Sequence, residues 1–153
     1  MAETAGAAAD RRCAGLGRAH LMQAAGELMT ERGGIDVSIH DIARRSGTSS
    51  ALIKYHFGHK DGLLLALLEK IIGDSVGRLE GLVRRDMPPR DKLRLHILGV
   101  LNVYCTYPYL SRLMHHLLST SDEARRRISV NIVKPMVAAQ TAILQEGERT
   151  GAF

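Results

Sequence analysis

Cysteine is scarce in this sequence. The two cysteines, Cys13 and Cys105, lie far apart and form no CxxC pair, which excludes a zinc framework built on paired cysteines. Two isolated thiols are typical of a chain that stays reduced, and reducing conditions prevail in the cytoplasm. We therefore expect a cytoplasmic protein that holds neither a metal nor another cofactor.

Long apolar runs and targeting signals are also absent. The densest apolar run, Leu63 to Leu68, is ended by Glu69 and Lys70 and is far shorter than the ~20 residues of a membrane span. The N-terminus reads MAETAGAAADRR and lacks the basic start and apolar core of a secretory signal. We expect no membrane partner and a disordered tail over residues 1–15.

Signatures of catalysis are missing as well. The sequence contains no HExxH pattern, no phosphate-binding loop and no nucleophile beside a base. The candidates that an enzyme would have to use are His96, His115, Asp91 and Glu123. His115 and His116 are adjacent and would point about 100° apart on a helix, which does not suit a shared metal. We expect a protein that is not an enzyme.

Positive charge is in excess. The formal net charge is +5 and the sequence pI is about 9.6, with 45% hydrophobic and 24% charged residues. This apolar share is enough for the core of one compact domain or of two small helical ones. The basic balance suits a polyanionic partner, although many proteins of this charge never touch nucleic acid.

Apolar residues recur at helical spacing along nearly the whole chain, and no segment shows the pattern of a strand. The first helix should run from about Arg18 to Arg32 and end at Gly33. Two later helices should run from about Asp61 to Arg85 and from about Arg90 to Tyr104. A further helix should contain the leucines after Pro108, and the last should run from a capping-box pattern at Thr120 and Glu123 to about Glu148. The helix that begins at Arg90 is apolar nearly all round, which predicts a buried central helix. Pro135 should kink or split the last helix.

The segment from Ser38 to Leu64 predicts two short helices joined by a tight glycine turn. Ser38 and Asp41 form a capping-box pattern that opens the first of them. Gly47 stands where a left-handed residue is needed to end it, and Ser49 can cap the second, which extends to about His56. This layout is typical of a helix-turn-helix whose second helix enters the DNA major groove.

The chemistry of this segment suits DNA. Ile53 and Phe57 are spaced to anchor the inner face of the second short helix, and four Lys/Arg stand against one acid, Asp41, between Ser38 and Lys60. Helix N-termini can bind phosphate, whereas small and polar side chains can meet base edges. The residues predicted to contact DNA are Ser38, His40, Ser49, Ser50, Ala51, Leu52, Lys54, Tyr55, His56 and Lys60. On periodicity and charge alone, three ordinary amphipathic helices with solvated lysines remain an alternative.

The residues from Arg18 through Leu64 resemble the N-terminal domain of TetR/AcrR-type bacterial transcriptional regulators. The matching positions are Arg18, the face of Leu21, Met22, Ala24, Ala25, Leu28 and Met29, then Gly33, Ser38-Ile39, Asp41-Ile42-Ala43, Gly47-Thr48-Ser49, Tyr55-His56-Phe57-Gly58, Lys60 and Leu63-Leu64. The resemblance implies an all-α fold with a three-helix DNA-binding domain over residues 16–62. It implies a helical ligand-binding and dimerisation domain over residues 63–153.

Some positions depart from the family pattern. The family often has Gly-Thr where this chain has Ala51-Leu52, Tyr where it has Lys54, and Ser or Asn where it has His59. These substitutions leave the fold intact and fall where the operator is read. They therefore bear on which DNA sequence is recognised.

The resemblance also implies a small organic effector and a homodimer on a palindromic operator of double-stranded DNA. The residues expected to line the effector site are His96, Val100, Val103, Tyr104, Tyr107, Met114, His115, Val133 and Val137. The segment from Gln145 to Phe153 resembles one that in the family usually precedes two further helices, which commonly form the dimer interface. We expect either an incomplete C-terminal domain or a different mode of dimerisation.

Together these features predict a DNA-binding transcriptional regulator, most simply a repressor that a small molecule releases from DNA. The alternative is a helical ligand-binding or interaction module that has lost DNA binding. DNA affinity measured at several salt concentrations separates the two, because phosphate contacts make true DNA binding steeply salt-dependent.

Overall fold

The computed structural model describes the backbone of residues 3–153 and the side chains of residues 17–153. Over this range the chain is helical and contains no strand, which confirms the predicted all-α class. The elements are α1 (Glu3–Arg32), α2 (Ile39–Ser46), α3 (Ser50–Phe57), α4 (Lys60–Val83), α5 (Pro89–Thr106), α6 (Leu110–Thr120), α7 (Asp122–Ile128), a π-helical segment (Ser129–Val133) and α8 (Lys134–Thr150).

The first helix begins earlier than the sequence predicts. Its backbone is helical from Glu3, whereas we expected a disordered tail over residues 1–15 and a helix from about Arg18. The reason is compositional, because alanine has the highest helix propensity of all residues and the added turns are rich in it. Met1 and Ala2, the first residues of the predicted tail, lie outside the described residues.

The chain divides into two compact units, Met1–Leu67 and Leu68–Phe153, so the boundary falls inside α4. In the first unit, α1, α2, α3 and the start of α4 enclose one apolar core. Its most buried side chains are Leu21, Ala25, Met29, Val37, Ile42, Ile53, Leu63 and Leu64. Val37 lies in the loop between α1 and α2. The others are positions that helical spacing places on the inner faces of the four helices.

In the second unit, the end of α4 packs with α5 and α8. Leu79, Ala139 and Ile143 form a buried cluster against which Leu93 and Met136 are partly buried. The remaining helices α6 and α7 bury their own apolar faces, which consist of Leu110, Leu113, Leu117, Ala124 and Ile128.

The predicted capping box of Thr120 and Glu123 is wrong by one residue. The N-cap of α7 is Ser121, whose hydroxyl accepts from the Ala124 amide at 3.1 Å. The Thr120 hydroxyl instead donates to the carbonyl of His116 at 2.8 Å. Threonine can return its hydroxyl to the preceding turn in this way, so Thr120 ends α6 and leaves the cap to its neighbour.

Pro135 splits the last predicted helix, as expected. The chain passes from α7 through the π-helical segment before α8 begins at Lys134, and the Lys134 amide donates to the carbonyl of Ser129. Proline has no amide hydrogen and its ring obstructs the carbonyl of the preceding turn. The wider π turn just before Pro135 is one way for a helix to accommodate such a residue.

The prediction that α5 is a buried central helix is wrong. Lys92 and Val103 are buried, whereas Ile97 and Leu101 are 51% and 56% exposed. Within the second unit α5 packs chiefly against α8, with the end of α4 beside them, and the rest of its apolar circumference meets solvent. None of the helices in the described part of the chain has the length and apolarity needed to cross a membrane.

Candidate nucleic-acid interface

The N-terminus of α2 is built by the predicted capping box. The Ser38 hydroxyl accepts from the Asp41 amide at 3.0 Å, and the Asp41 carboxylate accepts from the Ser38 amide at 3.1 Å and the Ser38 hydroxyl at 2.8 Å. The hydroxyl proton of Ser38 is thus directed at Asp41. The groups left for a phosphate at this helix end are the amides of Ile39 and His40, the latter with an exposed side chain.

Asp41 is held in its ionised form. The Arg32 guanidinium donates to its carboxylate at 3.1 Å, and this hydrogen bond, followed by those from Ser38, keeps the pKa of Asp41 far below its usual range. Arg32 also donates to the carbonyl of Asp36 at 2.7 Å. The end of α1, the connecting loop and the start of α2 are therefore joined through one guanidinium group.

The turn between α2 and α3 is fixed by short contacts. Gly47 ends α2 at a φ of 65°, a left-handed conformation that glycine adopts without steric cost. The Ser46 hydroxyl donates to the carbonyl of Ile42 at 2.8 Å, and the His20 ring lies 3.1 Å from the Ser46 carbonyl oxygen. These contacts set the direction in which α3 leaves the turn.

Helix α3 is anchored on one face and exposed on the other. Ser49 caps it by accepting from the Leu52 amide at 3.3 Å, as predicted, and Ile53 is fully buried. Ala51, Lys54 and Tyr55 are exposed. The exposed residues are the ones that could reach bases, because only they point away from the core.

The structure separates the other predicted contacts of α3 from that exposed face. Ser50, Leu52 and His56 are half-buried. The His56 ring makes an edge-to-face contact with Phe57 at a centroid distance of 6.1 Å and lies close to Gly17, where a Cβ would be 3.6 Å from its Nε2 atom. His56 therefore packs against α1.

The start of α4 requires a close backbone approach. A Cβ on Gly62 would lie 2.1 Å from the carbonyl oxygen of Phe57, so only glycine fits without a shift. The Gly62 amide donates to the Nδ1 atom of His59 at 3.2 Å, which makes the His59 ring the cap of this helix end. Lys60 stands in the first turn and makes no ion pair within the described residues.

One of the four cations between Ser38 and Lys60 is paired with acidic residues of α1. Arg45 donates to the two carboxylate oxygens of Glu31 at 2.8 and 2.5 Å, and to Glu27 at 3.5 Å. The hydrogen bond from Arg45 lowers the pKa of Glu31. Arg44 is paired only with Asp41 among the described residues, at 3.2 Å, and 72% of its side chain is exposed.

Arg18 supports α3, a role that the sequence did not reveal. Its guanidinium carbon lies 5.0 Å from the centroid of the Phe57 ring, within the range of a cation–π contact. The two residues are 39 positions apart in the numbering. Only the resemblance, which includes both positions, could have indicated that they act together.

The residues predicted to line an effector site do not form one enclosed set. Val103 is buried, and His96, Tyr107 and Met114 are half-buried. The exposed members of the set are Val100, Tyr104, His115, Val133 and Val137. His96 and Gln140 are 2.9 Å apart and half-buried. Desolvation lowers the pKa of His96, so this polar pair favours the neutral imidazole.

Two family models match this chain. The model of the N-terminal domain, described as bacterial regulatory proteins of the tetR family, matches residues 21–67. The model described as the tetracyclin repressor-like C-terminal domain matches residues 86–153, so that together they cover about three quarters of the chain. This chain belongs to the TetR family.

Curated relatives of this TetR-family chain include regulators named BetI. The HTH-type transcriptional regulator BetI of Brucella anthropi is 33% identical over 78 residues, which are 51% of this chain and 40% of the relative. BetI 1 of Chromohalobacter salexigens is 41% identical over 64 residues, 40% of this chain and 32% of the relative. The chain thus spans two fifths or less of the length of these relatives.

Solved structures of TetR-family regulators share the fold. The structure of PfmR from Thermus thermophilus aligns with a TM-score of 0.73 at 25% identity, covering 87% of this chain and 72% of PfmR. A structure described as a putative TetR-family regulator, from Mesorhizobium loti, aligns with a TM-score of 0.69 at 17% identity and covers 90% of this chain and 71% of that one. At that identity the second likeness concerns the fold alone.

Proposed function

We propose that this chain is a sequence-specific DNA-binding regulator in which α3 reads bases and the N-termini of α2 and α4 bind phosphates. The observation that carries the proposal is the exposed face of α3, which consists of Ala51, Lys54 and Tyr55. Lys60, at the start of α4, follows this face in the chain and has no ion pair in the described part of the chain. Small, cationic and aromatic groups together suit a DNA groove.

The division of work follows from the geometry of each residue. Lys60 is next to a helix N-terminus, where amides and a cation act on the same phosphate. Lys54 and Tyr55 are instead on the exposed face of α3, which we assign to base reading and call the reading face. His56 is half-buried against α1 and acts by holding that face in place. Arg45 is bound by Glu31, so its role is to hold α2 on α1 and not to contact DNA.

The test is binding of labelled duplex DNA from upstream of the gene, followed by fluorescence anisotropy between about 50 and 200 mM salt. Lys60→Ala should weaken binding to specific and random duplexes alike and reduce the salt slope by about one. Lys134→Ala is the matched control, because Lys134 is exposed and belongs to the second unit. Salt-independent or undetectable binding would instead favour an interaction module that has lost DNA binding.

We further propose that the protein is a repressor, that it binds a palindromic operator as a homodimer, and that a small organic effector releases it. Support comes from the family and from the matched model of the C-terminal domain. The His96–Gln140 pair is the polar point in the second unit that we assign to the effector. A neutral imidazole beside an amide suits an uncharged, hydrogen-bonding organic molecule.

The regulatory proposal has its own test. Deleting the gene should raise transcription from its operator, and restoring the Lys60→Ala variant should fail to lower it again. In a panel of small organic acids, amines and alcohols, compounds that release the operator from the wild type should lose potency on Gln140→Ala. Unchanged potency would place the effector elsewhere, and lower transcription after deletion would make the protein an activator.

A further inference from the structure

Serine side chains cap helices α2, α3 and α7. The hydroxyls of Ser38, Ser49 and Ser121 accept from backbone amides at the starts of these helices, at 3.0, 3.3 and 3.1 Å. A hydroxyl oxygen keeps its acceptor lone pairs throughout the physiological pH range. These three acceptors are therefore insensitive to pH.

Helix α4 is capped by an imidazole ring instead. The Nδ1 atom of His59 accepts from the Gly62 amide at 3.2 Å, and the His59 carbonyl accepts from the Leu63 amide at 3.3 Å. His59 therefore occupies the N-cap position of α4, and Gly62 is the third residue of the helix. Because glycine has no side chain that could return a bond, this helix end cannot form the reciprocal half of a capping box.

The direction of this hydrogen bond fixes the form of the His59 ring. A backbone amide can only donate, so Nδ1 must have a free lone pair, and the hydrogen of the neutral ring is then on Nε2. An imidazolium ring has a hydrogen on both nitrogens and cannot accept. Protonation of His59 therefore converts the cap from an acceptor into a second donor that faces the Gly62 amide.

The cap stands at a tight joint between α3 and α4. The Phe57 carbonyl oxygen accepts from the His59 amide at 2.9 Å, and the same oxygen is the atom that a Cβ on Gly62 would meet. Gly58 ends α3 at a φ of 75°, and its amide donates to the Lys54 carbonyl at 2.8 Å. Because these contacts lie within a few residues of His59, loosening of the first turn of α4 reaches the end of α3 directly.

The side chains around this joint include one acid among several cations. Those that carry or can acquire a charge are Lys54, Tyr55 and His56 of α3, Lys60 and Asp61 of α4, and Arg18, which α1 places over Phe57. Asp61 is two positions after His59, and residues at that spacing do not face each other on a helix. We therefore expect no ion pair between Asp61 and a protonated His59 that would replace the lost cap.

We propose that His59 is a pH-sensitive cap of α4 that couples protonation to DNA affinity. The neutral ring holds the first turn of α4, and the protonated ring releases it. Histidine side chains change charge between about pH 5 and pH 8, so the cap is complete above this range and lost below it. The inference rests on the proposed function, because the first turn of α4 contains Lys60 and the amides that we assign to a DNA phosphate.

Protonation of His59 has two opposing effects on DNA binding. The imidazolium adds one positive charge, which by itself favours binding to DNA. Loosening of the first turn of α4 displaces Lys60 and the helix amides, which bind a phosphate together only while the helix end is formed. One cation and several amides are then lost against one cation gained, so acid should weaken binding.

The cap is tested first on the full chain without DNA. In isotope-labelled protein at about pH 8, nuclear magnetic resonance of the His59 ring should show the hydrogen on Nε2. The protection factor of the Gly62 amide against hydrogen exchange should fall about fivefold between about pH 8 and about pH 5.5, the loss expected for a typical helix cap. In His59→Asn it should change less, because asparagine caps helices and does not titrate. A hydrogen on Nδ1, or a Gly62 protection factor that does not change with pH, would overturn the cap.

The coupling is tested by fluorescence anisotropy with duplex DNA from upstream of the gene, at about pH 8 and about pH 5.5 and at one salt concentration. On acidification the wild type should lose about fivefold more affinity than His59→Asn, since the other titratable groups are the same in both. His59→Ala, which has no cap at either pH, should bind weakly at both. His116→Asn is the matched control, because it removes a histidine of the second unit, and its loss in acid should equal that of the wild type.

The outcomes distinguish this inference from the proposed function. A pH-dependent Gly62 amide in a protein that binds no duplex DNA at either pH supports the cap and contradicts the DNA-binding role together with the coupling. DNA binding whose loss in acid is the same in the wild type and in His59→Asn supports the proposed function and overturns the coupling.

Discussion

The ammonium group of Lys92 lies 2.7 Å from the carboxylate of Glu146, and its side chain is 3% exposed. The same nitrogen donates to the carbonyl of Val83 at 3.1 Å. Because Val83 is the last residue of α4, Lys92 satisfies a helix end while joining α5 to α8. Three helices of the second unit thus meet at one buried cation.

Removing this cation should destabilise the second unit. Lys92→Ala leaves the Val83 carbonyl and the Glu146 carboxylate without their donor, so we expect a loss of about 2–4 kcal/mol, measured by urea unfolding. Lys92→Met combined with Glu146→Met should recover much of it, because no unpaired charge then remains. Lys70→Ala, which breaks an exposed pair with Asp74, should cost under about 0.5 kcal/mol. Equal losses for Lys92 and Lys70 would contradict this account.

Two glycines of α4 should respond in opposite directions to alanine. Gly62→Ala places a Cβ 2.1 Å from the Phe57 carbonyl oxygen, and we expect a loss of about 3 kcal/mol with weaker DNA binding. Gly73 has open space around its Cα, so Gly73→Ala should stabilise the helix by up to ~1 kcal/mol. Thermal unfolding of both variants checks the prediction, and a tolerated Gly62→Ala would show that the turn is not tightly constrained.

Acid should remove the contribution of Asp41. Its pKa is lowered in the folded chain by Arg32 and Ser38, so its stabilising effect is complete above the ordinary aspartate pKa of about 4. The effect is lost as the pH falls toward the lower folded value. The difference in urea midpoint between the wild type and Asp41→Asn should be largest near neutral pH and shrink below about pH 4. Arg32→Met should reduce this pH dependence and leave the part that comes from Ser38, and a difference that grows in acid would refute the assignment.

Tyr55 should matter for DNA and little for stability. Its side chain is 80% exposed on the face of α3 that we assign to base reading. Tyr55→Ala should reduce operator affinity by at least about tenfold and change the unfolding free energy by no more than about 0.5 kcal/mol. Anisotropy with the operator and a random duplex, alongside urea unfolding, separates the two effects. Unchanged affinity for the operator would remove Tyr55 from the reading face.

The local features of the candidate interface followed from the sequence. Ser38 and Ser49 cap their helices, and Gly47 adopts the left-handed conformation that the turn requires. Each of these depends on residues within four positions of one another, where side-chain chemistry alone decides which backbone group is satisfied. Helix boundaries were predicted to within a few residues for the same reason, except at α1, where alanines extend the helix.

Other features depend on residues that only the fold brings together. Arg45 was counted in the positive charge of the helix-turn-helix, but Glu31, 14 positions earlier, binds it. The partners of Lys92 and Arg18 are also distant in sequence. Periodicity also predicted a buried α5, because it records how apolar a helix is and not how many neighbours will cover it.

The sequence by itself determined the helical class, the helix-turn-helix and the charge of its face, since helix ends and turns are set by interactions within a few residues. The tertiary structure decided which cations remain unpaired and which side chains of α3 face outward. It also decided that an apolar side of α5 is left in solvent. These outcomes depend on which distant surfaces meet, and a linear pattern contains the apolar and charged groups without specifying their partners.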